Sequence, residues 1–287
     1  MNIIPYNYHT HTTFCDGTAS LEEMVLSAID RGFKVIGFSG HSCTAYDGCY
    51  CMSLDGTRKY KDEIKRLRLK YAGKILILCG IEQDFGSDEP IDDYDYVIGS
   101  VHATFPDAAE DARDCFHGFD RSRYYYIDWS TDRIREAVAS DFGGDPYSFI
   151  EHYYDTVALL PKVTNCHIIG HFDLISKFCE TAPDLIDFNN ERIIKAEEEA
   201  IESLIPYGVP FEVNTGAIAR GLRTSPYPSQ RCLEKIARMG GSVILTSDCH
   251  SKEKLSFGFD EARDLIRWCG FRGECFYRDG GFQVCAY

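Results

Sequence analysis

The segment Asn7-Tyr8-His9-Thr10-His11 closes the first apolar stretch of the chain with two histidines in alternate positions. Similar residues follow later apolar stretches: His41 in Ser-Gly-His-Ser, Glu82 in Gly-Ile-Glu, His102 in Ser-Val-His, His171 in Gly-His-Phe-Asp, and Asp248 with His250 in Ser-Asp-Cys-His. Neutral imidazoles and carboxylates suit Zn, Mn and Fe, and a carboxylate among imidazoles can bridge two ions. The pattern therefore predicts a multinuclear metal site built from the ends of several strands.

Short apolar stretches alternate with amphipathic ones along the chain, which predicts buried strands separated by helices. The predicted strands are residues 7–11, 34–39, 75–81, 94–101, 166–170, 209–214 and 242–247. The predicted helices are residues 21–31, 56–71, 146 to about 160, 189–207, 229–239 and 260–269. Ser20 and Asp145 are the expected N-caps of two of these helices.

Strands that alternate with helices form parallel sheets, either as an open doubly wound sheet or as a closed barrel. The carboxyl ends of all strands meet at one mouth in a barrel, whereas an open sheet spreads them along an edge. At least six of the seven predicted strands end in a candidate ligand. We therefore predict an α/β fold, an irregular TIM-like (β/α)7 barrel with the metal site at its carboxyl-terminal mouth. Residues 103–144 are too long for a plain loop and are expected to cover that mouth.

Composition and charge bear on the number of domains, the possible partners and the cellular compartment. No shift in composition divides the 287 residues, so we predict a single domain over residues 1–287. The net charge of −15 argues against a nucleic-acid partner, because binding phosphate backbones needs an excess of Lys and Arg. The 13 cysteines are scattered and odd in number, which favours reduced thiols. No leader-like segment and no long apolar run occurs, so we expect a cytoplasmic protein without a membrane partner; composition does not indicate an oligomeric state.

A single His-X-His pair is weak evidence for metal binding, because alternation on a strand brings two imidazoles to one face for packing reasons too. Six of the nine histidines, however, fall at predicted strand ends, and a purely structural role would require each to be satisfied separately at the same rim. His117 and His152 match no motif and are interpreted as surface or core histidines. Cys15 and Cys249 lie beside candidate ligands and are interpreted as small packing residues.

Taken in order, these motifs resemble those of the PHP (polymerase and histidinol phosphatase) domain in its stand-alone histidinol-phosphate phosphatase form. The similarity extends over essentially the whole chain and implies two to three divalent ions on an irregular (β/α)7 barrel. The implied ligands are His9, His11, Glu82 and Asp248 for one ion, Glu82 as a bridge with His102 and His171 for a second, and Asp16, His41 and His250 for a third. Asp16 could instead simply form a turn with Gly17, and His167 is an alternative to His171.

The resemblance implies metal-dependent hydrolysis of a small phosphate monoester, with L-histidinol phosphate from histidine biosynthesis as the expected substrate. A hydroxide bridging two ions would be the nucleophile, which makes Glu82, Asp248 and His250 the expected catalytic residues. Phosphate recognition should also use a cation of the protein. The candidates are Arg220 and Arg223 after the sixth strand, then Lys177, and beyond these Arg121 or Arg123 in the cover; each could equally be an ordinary solvated charge.

Alternative functions remain open at this point. Another small phosphoester or a phosphotyrosine could be the substrate, and residues 124–129 could offer an aromatic or carboxylate wall to a cationic one. Metal-dependent amidohydrolases also begin with His-X-His on a barrel strand, but they typically add a carboxylated Lys where this chain has Glu82 and His102. A metal-binding domain without activity is expected to lack ligands, and none is missing here.

Overall fold

The structure is a computed structural model that describes residues 5–46, 48–105 and 123–287. His117 and Arg121 lie outside the described residues, as does the middle of the segment expected to cover the barrel mouth. Within the described ranges, no helix is both long and apolar enough to cross a membrane.

The described residues form β1 (Tyr6–Asn7), β2 (Val35–Phe38), β3 (Leu76–Asp84), β4 (Tyr96–Ser100), β5 (Ala103–Thr104), β6 (Tyr125–Tyr126), β7 (Ile168–Ile169), β8 (Phe211–Asn214), β9 (Val243–Thr246), β10 (Gly273–Arg278) and β11 (Gly281–Ala286). Seven of these strands form a parallel sheet at the centre of the fold, in the order β1-β2-β3-β4-β7-β8-β9. Beyond β1 and β9, Thr10 forms a parallel bridge with Cys249, and the His11 N–H donates to the Cys249 carbonyl at 2.9 Å. The sheet therefore nearly closes, and the predicted irregular (β/α)7 barrel is confirmed.

Helices connect most of the parallel strands, as the amphipathic pattern predicted. They are α1 (Leu21–Asp30), α2 (Leu54–Lys70), α3 (Thr131–Asp141), α4 (Pro146–Val157), α5 (Leu160–Thr164), α6 (Glu191–Leu204), α7 (Gly216–Ala219), α8 (Gln230–Arg238) and α9 (Phe259–Trp268), with 3-10 turns at Leu174–Ser176, Ile205–Tyr207 and Lys252–Lys254. Ser20 and Glu23 form a reciprocal capping box at the start of α1. Asp145 accepts from the Tyr147 N–H at the start of α4, so both predicted N-caps are confirmed.

The structure differs from the sequence prediction in several places, of which three are informative. β1 ends at Asn7 rather than at residue 11, because the Asn7 side chain accepts the His9 N–H at 3.1 Å and removes it from the strand ladder. Helix α3 lies within the segment predicted only as a cover, and its N-cap is Ser130. The hairpin β10–β11 was not predicted as strands, although Asp279-Gly280 is a sequence typical of a two-residue hairpin turn, and both residues have positive φ, 52° and 86°.

The hairpin packs its aromatic residues against the first strand region. The Phe276 ring lies 4.6 Å from that of Tyr6, and the Phe282 ring lies 5.2 Å from that of Tyr8, whose hydroxyl accepts the Tyr277 N–H at 3.0 Å. One hydrophobic core cluster therefore includes residues of both the barrel and the hairpin. The single domain over residues 1–287 stays a prediction, with which this shared core is consistent.

Tyr96, the first residue of β4, is tightly packed, and two glycines make room for it. A Cβ atom on Gly80 in β3 would lie 2.2 Å from Tyr96 Cζ, and one on Gly37 in β2 would lie 2.4 Å from its hydroxyl oxygen. Tyr96 itself is completely buried. The two glycines are therefore required by close packing rather than by backbone conformation.

We expect Gly80→Ala to destabilise the fold by about 1–3 kcal/mol, because the added methyl overpacks a filled core. Thermal and denaturant unfolding followed by circular dichroism would measure the loss. Gly281→Ala is the matched control, since a Cβ there meets no atom within 4 Å. Equal stability of the two variants would contradict the proposed packing constraint.

Candidate metal centre

The nine residues predicted as metal ligands lie together at the carboxyl-terminal mouth of the barrel. His9 and His11 follow β1, His41 follows β2, Glu82 lies near the end of β3, His102 follows β4, His171 follows β7, Asp248 and His250 follow β9, and Asp16 comes from the turn after the first strand region. Seven of them are buried, whereas the side chains of Asp16 and His250 are 32% and 27% exposed. The cluster therefore has a buried centre and a more exposed rim.

Glu82 lies at the centre of the cluster, and its two carboxylate oxygens face different histidines. Oε2 lies 2.8 Å from His41 Nδ1 and 3.3 Å from His9 Nε2. Oε1 lies 2.8 Å from His171 Nε2 and 3.3 Å from His102 Nε2. A carboxylate with each oxygen turned towards a separate pair of imidazoles has the arrangement that bridging two cations requires.

The innermost group brings the two histidines after β1 together with two carboxylates. Asp248 Oδ1 lies 3.2 Å from His11 Nε2 and 3.6 Å from His9 Nε2. The atoms His9 Nε2, His11 Nε2 and Glu82 Oε2 are buried and have no hydrogen-bond partner among the described residues. Buried polar atoms are normally satisfied, so three orphaned acceptor-type atoms facing one point fit a divalent cation.

The rim group contains Asp16, the candidate whose sequence was also typical of a turn. The structure shows both features, because the Gly17 N–H donates to the Thr12 carbonyl while the carboxylate points at histidines. Asp16 Oδ2 lies 3.1 Å from His250 Nε2 and 3.7 Å from His41 Nε2. His11, His41, His250 and Asp16 each offer an atom within 4.8 Å of the others, which is close enough to hold one ion.

Electrostatics keeps the two central carboxylates ionised, whereas it shifts the pKa values of the histidines in different directions. Burial raises the pKa of Glu82, but the surrounding imidazoles outweigh it and hold the pKa well below its ordinary value. Burial also raises the pKa of Asp248, but Arg220 and the nearby histidines outweigh it and hold the pKa well below its ordinary value. Burial lowers the pKa of His11 and favours its neutral form. Burial also disfavours charge on His9, but nearby carboxylates raise its pKa overall, so metal binding there would release a proton.

Two further carboxylates contact His9 and His102 at the ring nitrogen that faces away from Glu82, and sequence reasoning missed both. Glu212 in β8 has Oε1 2.5 Å from His9 Nδ1. Asp84, the last residue of β3, has Oδ2 3.1 Å from His102 Nδ1. Carboxylates in this position fix the tautomer and orientation of a metal-binding imidazole. The sequence did carry a sign of both residues: Glu212 lies inside the predicted buried strand 209–214, and Asp84 lies three residues after the predicted strand 75–81.

The cluster opens into a cavity of about 420 Å³. Besides ligand candidates, its lining includes Tyr50, Tyr126, Asp128, Trp129, Leu174, Lys177 and Arg220. Arg220 donates to the Asp248 carboxylate at 3.2 Å. Arg223 does not line the cavity: it is 6% exposed, donates to Ser176 Oγ at 2.6 Å and packs over the Tyr227 ring.

The remaining described candidates lie away from the cavity. His167 Nδ1 accepts the Val97 N–H at 3.1 Å and lies before β7, so His171 is the histidine of this segment at the mouth. His152 contacts Thr104 Oγ1 at 2.7 Å and has a structural environment. Arg123 pairs with Asp141. Tyr126, Asp128 and Trp129 of the expected cover, in contrast, do line the cavity.

Comparison with known proteins agrees with this architecture. The family model of the PHP domain matches residues 7–216. A Schizosaccharomyces pombe protein named "Probable histidinol-phosphatase" is 26% identical over 301 aligned residues, which cover 96% of this chain and 90% of that protein. A Deinococcus radiodurans protein of the same name is 26% identical over 275 residues, covering 92% and 93%.

Two solved structures share the fold. A protein from Listeria monocytogenes has a TM-score of 0.70 at 19% identity, with 90% of this chain and 99% of that chain covered. A histidinol phosphate phosphatase from Lactococcus lactis, solved with Zn, L-histidinol and phosphate, has a TM-score of 0.66 at 21% identity, with 97% and 98% covered. At these identities the likeness concerns the fold.

We expect Glu82→Gln to lower the bound metal by at least one equivalent per chain, because a neutral amide bridges two cations poorly. Elemental analysis after metal loading, with circular dichroism to verify folding, would measure this. Glu89→Gln is a matched control, since Glu89 is also buried but binds the Cys43 N–H and the Tyr94 hydroxyl instead of the cluster. Wild-type metal content in a folded Glu82→Gln variant would show that Glu82 is not a bridge.

Proposed function

The chain belongs to the PHP domain family, and on that premise we propose that it is a metal-dependent phosphomonoester hydrolase whose substrate is L-histidinol phosphate. The proposal rests on one observation above all: Glu82 joins groups of histidine and carboxylate atoms that are close enough to hold metal ions, at the floor of a cavity. Hydrolysis of a phosphate monoester is among the slowest uncatalysed reactions, so it needs an activated nucleophile and neutralised phosphoryl charge.

We propose two to three divalent ions, Zn, Mn or Fe, at the nine predicted positions. The donor set of imidazoles and carboxylates, together with the orphaned atoms His9 Nε2, His11 Nε2 and Glu82 Oε2, fits such ions. When bound, they would lower the pKa of coordinated water towards about 7 and offset phosphoryl charge. Glu82, Asp248 and His250 are then the residues proposed to act closest to the reacting group.

Arg220 is the best candidate for a phosphate ligand supplied by the chain. It lines the cavity, its side chain is 36% exposed, and it contacts the Asp248 carboxylate and carbonyl at 3.2 Å and His250 Nδ1 at 3.4 Å. A guanidinium has five N–H donors in a planar fork, so these three contacts leave donors for phosphoryl oxygens. Lys177 also lines the cavity, but its ammonium already pairs with Asp128 Oδ2 at 2.9 Å. The burial of Arg223 removes it from the proposed set.

The wall formed by residues 126–129 suits a cationic, aromatic leaving group. Tyr126 and Trp129 line the cavity with ring centroids 5.2 Å apart. Burial raises the pKa of Asp128, but Lys177 and His102 outweigh it and lower the pKa overall, so the carboxylate is ionised. An imidazole ring can stack on the indole and an amine can pair with the carboxylate. The two relatives named as histidinol-phosphatases, and the zinc, histidinol and phosphate bound by the Lactococcus protein, support the same substrate.

Substrate profiling tests the proposal directly. Metal-loaded protein is expected to hydrolyse L-histidinol phosphate with a kcat/KM about two orders of magnitude above that for phosphotyrosine, because Asp128 offers a contact for a cationic leaving group. Phosphate release should stop on chelation and return on adding metal. Single-stranded DNA should not be cleaved, given the net charge of −15. A preference for phosphotyrosine, or release of phosphate without metal, would refute the proposal.

Arg220→Gln should lower kcat/KM for histidinol phosphate by about 100-fold, because it removes a charge-assisted bidentate contact of a few kcal/mol. Arg223→Gln is the matched control and should reduce thermal stability while leaving kcat/KM within a few-fold. Metal content is to be measured for both variants, since Arg220 also contacts Asp248. If Arg220→Gln retains normal efficiency, Lys177, the other cation that lines the cavity, becomes the candidate phosphate ligand.

A further inference from the structure

Glu212 is a buried glutamate outside the nine-residue cluster of predicted ligands. It lies in β8 and is completely buried. Its Oε1 lies 2.5 Å from His9 Nδ1 and accepts from Thr246 Oγ1 at 2.6 Å. Its Oε2 accepts from the His171 N–H at 2.7 Å and from Asn214 Nδ2 at 3.0 Å. One carboxylate therefore contacts residues of four strand regions around the barrel.

The bonding pattern fits a group that only accepts. The backbone N–H of His171 and the side-chain amide nitrogen of Asn214 can only donate, and an ionised carboxylate can only accept. The short contact at His9 is then a bond in which Nδ1 carries the hydrogen. In the neutral ring with hydrogen at Nδ1, the form that binds a metal ion, the opposite ring atom Nε2 carries a lone pair, and it lies 3.3 Å from Glu82 and 3.6 Å from Asp248. His9 Nε2 has no hydrogen-bond partner among the described residues.

We infer that Glu212 is a positioning residue for the metal ion that His9 binds. It holds His9 in the tautomer that presents the Nε2 lone pair to the cluster, and through the His171 N–H it fixes the backbone that carries a second ligand. Carboxylates placed behind metal-binding histidines raise affinity in this way. The inference rests on the metal-binding part of the proposed function.

Replacing Glu212 with glutamine creates a conflict in either orientation. If the amide nitrogen faces His9, the ring must accept at Nδ1 and place a hydrogen at Nε2, where it cannot bind a cation. If the amide nitrogen faces His171, it meets a backbone N–H and an amide donor. Either arrangement weakens a ligand of the cluster without removing any ligand atom.

The test compares two buried glutamates in the full-length chain. Glu197→Gln is the matched control, because Glu197 is likewise buried, with 3% exposure, but pairs with Arg231 and Tyr154 outside the cluster. Zinc affinity is measured by competition with a chromophoric chelator, and the visible spectrum of the Co(II)-loaded protein reports the ligand geometry. We expect Glu212→Gln to weaken zinc binding by about 10–100-fold and to change the cobalt spectrum. Glu197→Gln should lower thermal stability and leave both metal readouts unchanged.

Nitrogen-15 NMR of the wild-type zinc protein keeps the inference testable even if Glu212→Gln does not fold, because it reports the tautomer of each imidazole. Hydrogen at Nδ1 of His9 is expected; a His9 ring with hydrogen at Nε2, or metal at Nδ1, overturns the inference. Wild-type zinc affinity and cobalt spectrum in folded Glu212→Gln also overturn it. Wild-type protein that binds no metal would instead refute the proposed function itself.

Discussion

The negative charge of Glu82 in the interior of the barrel is the constraint on which the site depends. A buried carboxylate is costly unless donors or cations surround it. Here five histidines lie within 3.6 Å of its oxygens, and the Ser100 hydroxyl donates to it at 2.7 Å. Those histidines come from the ends of four different strands. A nearly closed barrel brings four strand ends within reach of one side chain, so the fold supplies the surroundings that a buried charge at Glu82 needs.

The sequence predicted the barrel, and the position of the candidate ligands at its mouth, for a geometric reason. Parallel strands in a barrel converge at their carboxyl ends, so a polar residue just past an apolar stretch can be placed at the mouth of the barrel from the sequence alone. The motif Gly-His-Phe-Asp placed His171 at the mouth and His167 away from it in the same way. Helix N-caps such as Ser20 were predictable because a cap depends on neighbours within three residues.

Features that depend on distant partners could not be predicted from the sequence. Glu212 stands 203 positions from His9, and nothing in its own segment shows which strand it faces. Arg223 and Arg220 have the same residue type in the same loop, yet only Arg220 turns towards the cavity, because Arg223 packs over Tyr227. The early end of β1 follows from a side-chain bond of Asn7 that competes with the ladder, which alternation of apolar residues does not reveal.

Exposure varies across the cluster, and this has a kinetic consequence. Glu82 is 1% exposed, whereas the side chains of Asp16 and His250 are 32% and 27% exposed. A cation held beside Glu82 would be surrounded by buried side chains, while one held at the rim would be more open to water and competing ligands. One fold would then carry a slowly exchanging inner ion and a more labile outer one. Occupancy of the outer position would follow the free metal concentration around the protein, so that catalytic competence could vary while the fold stays intact.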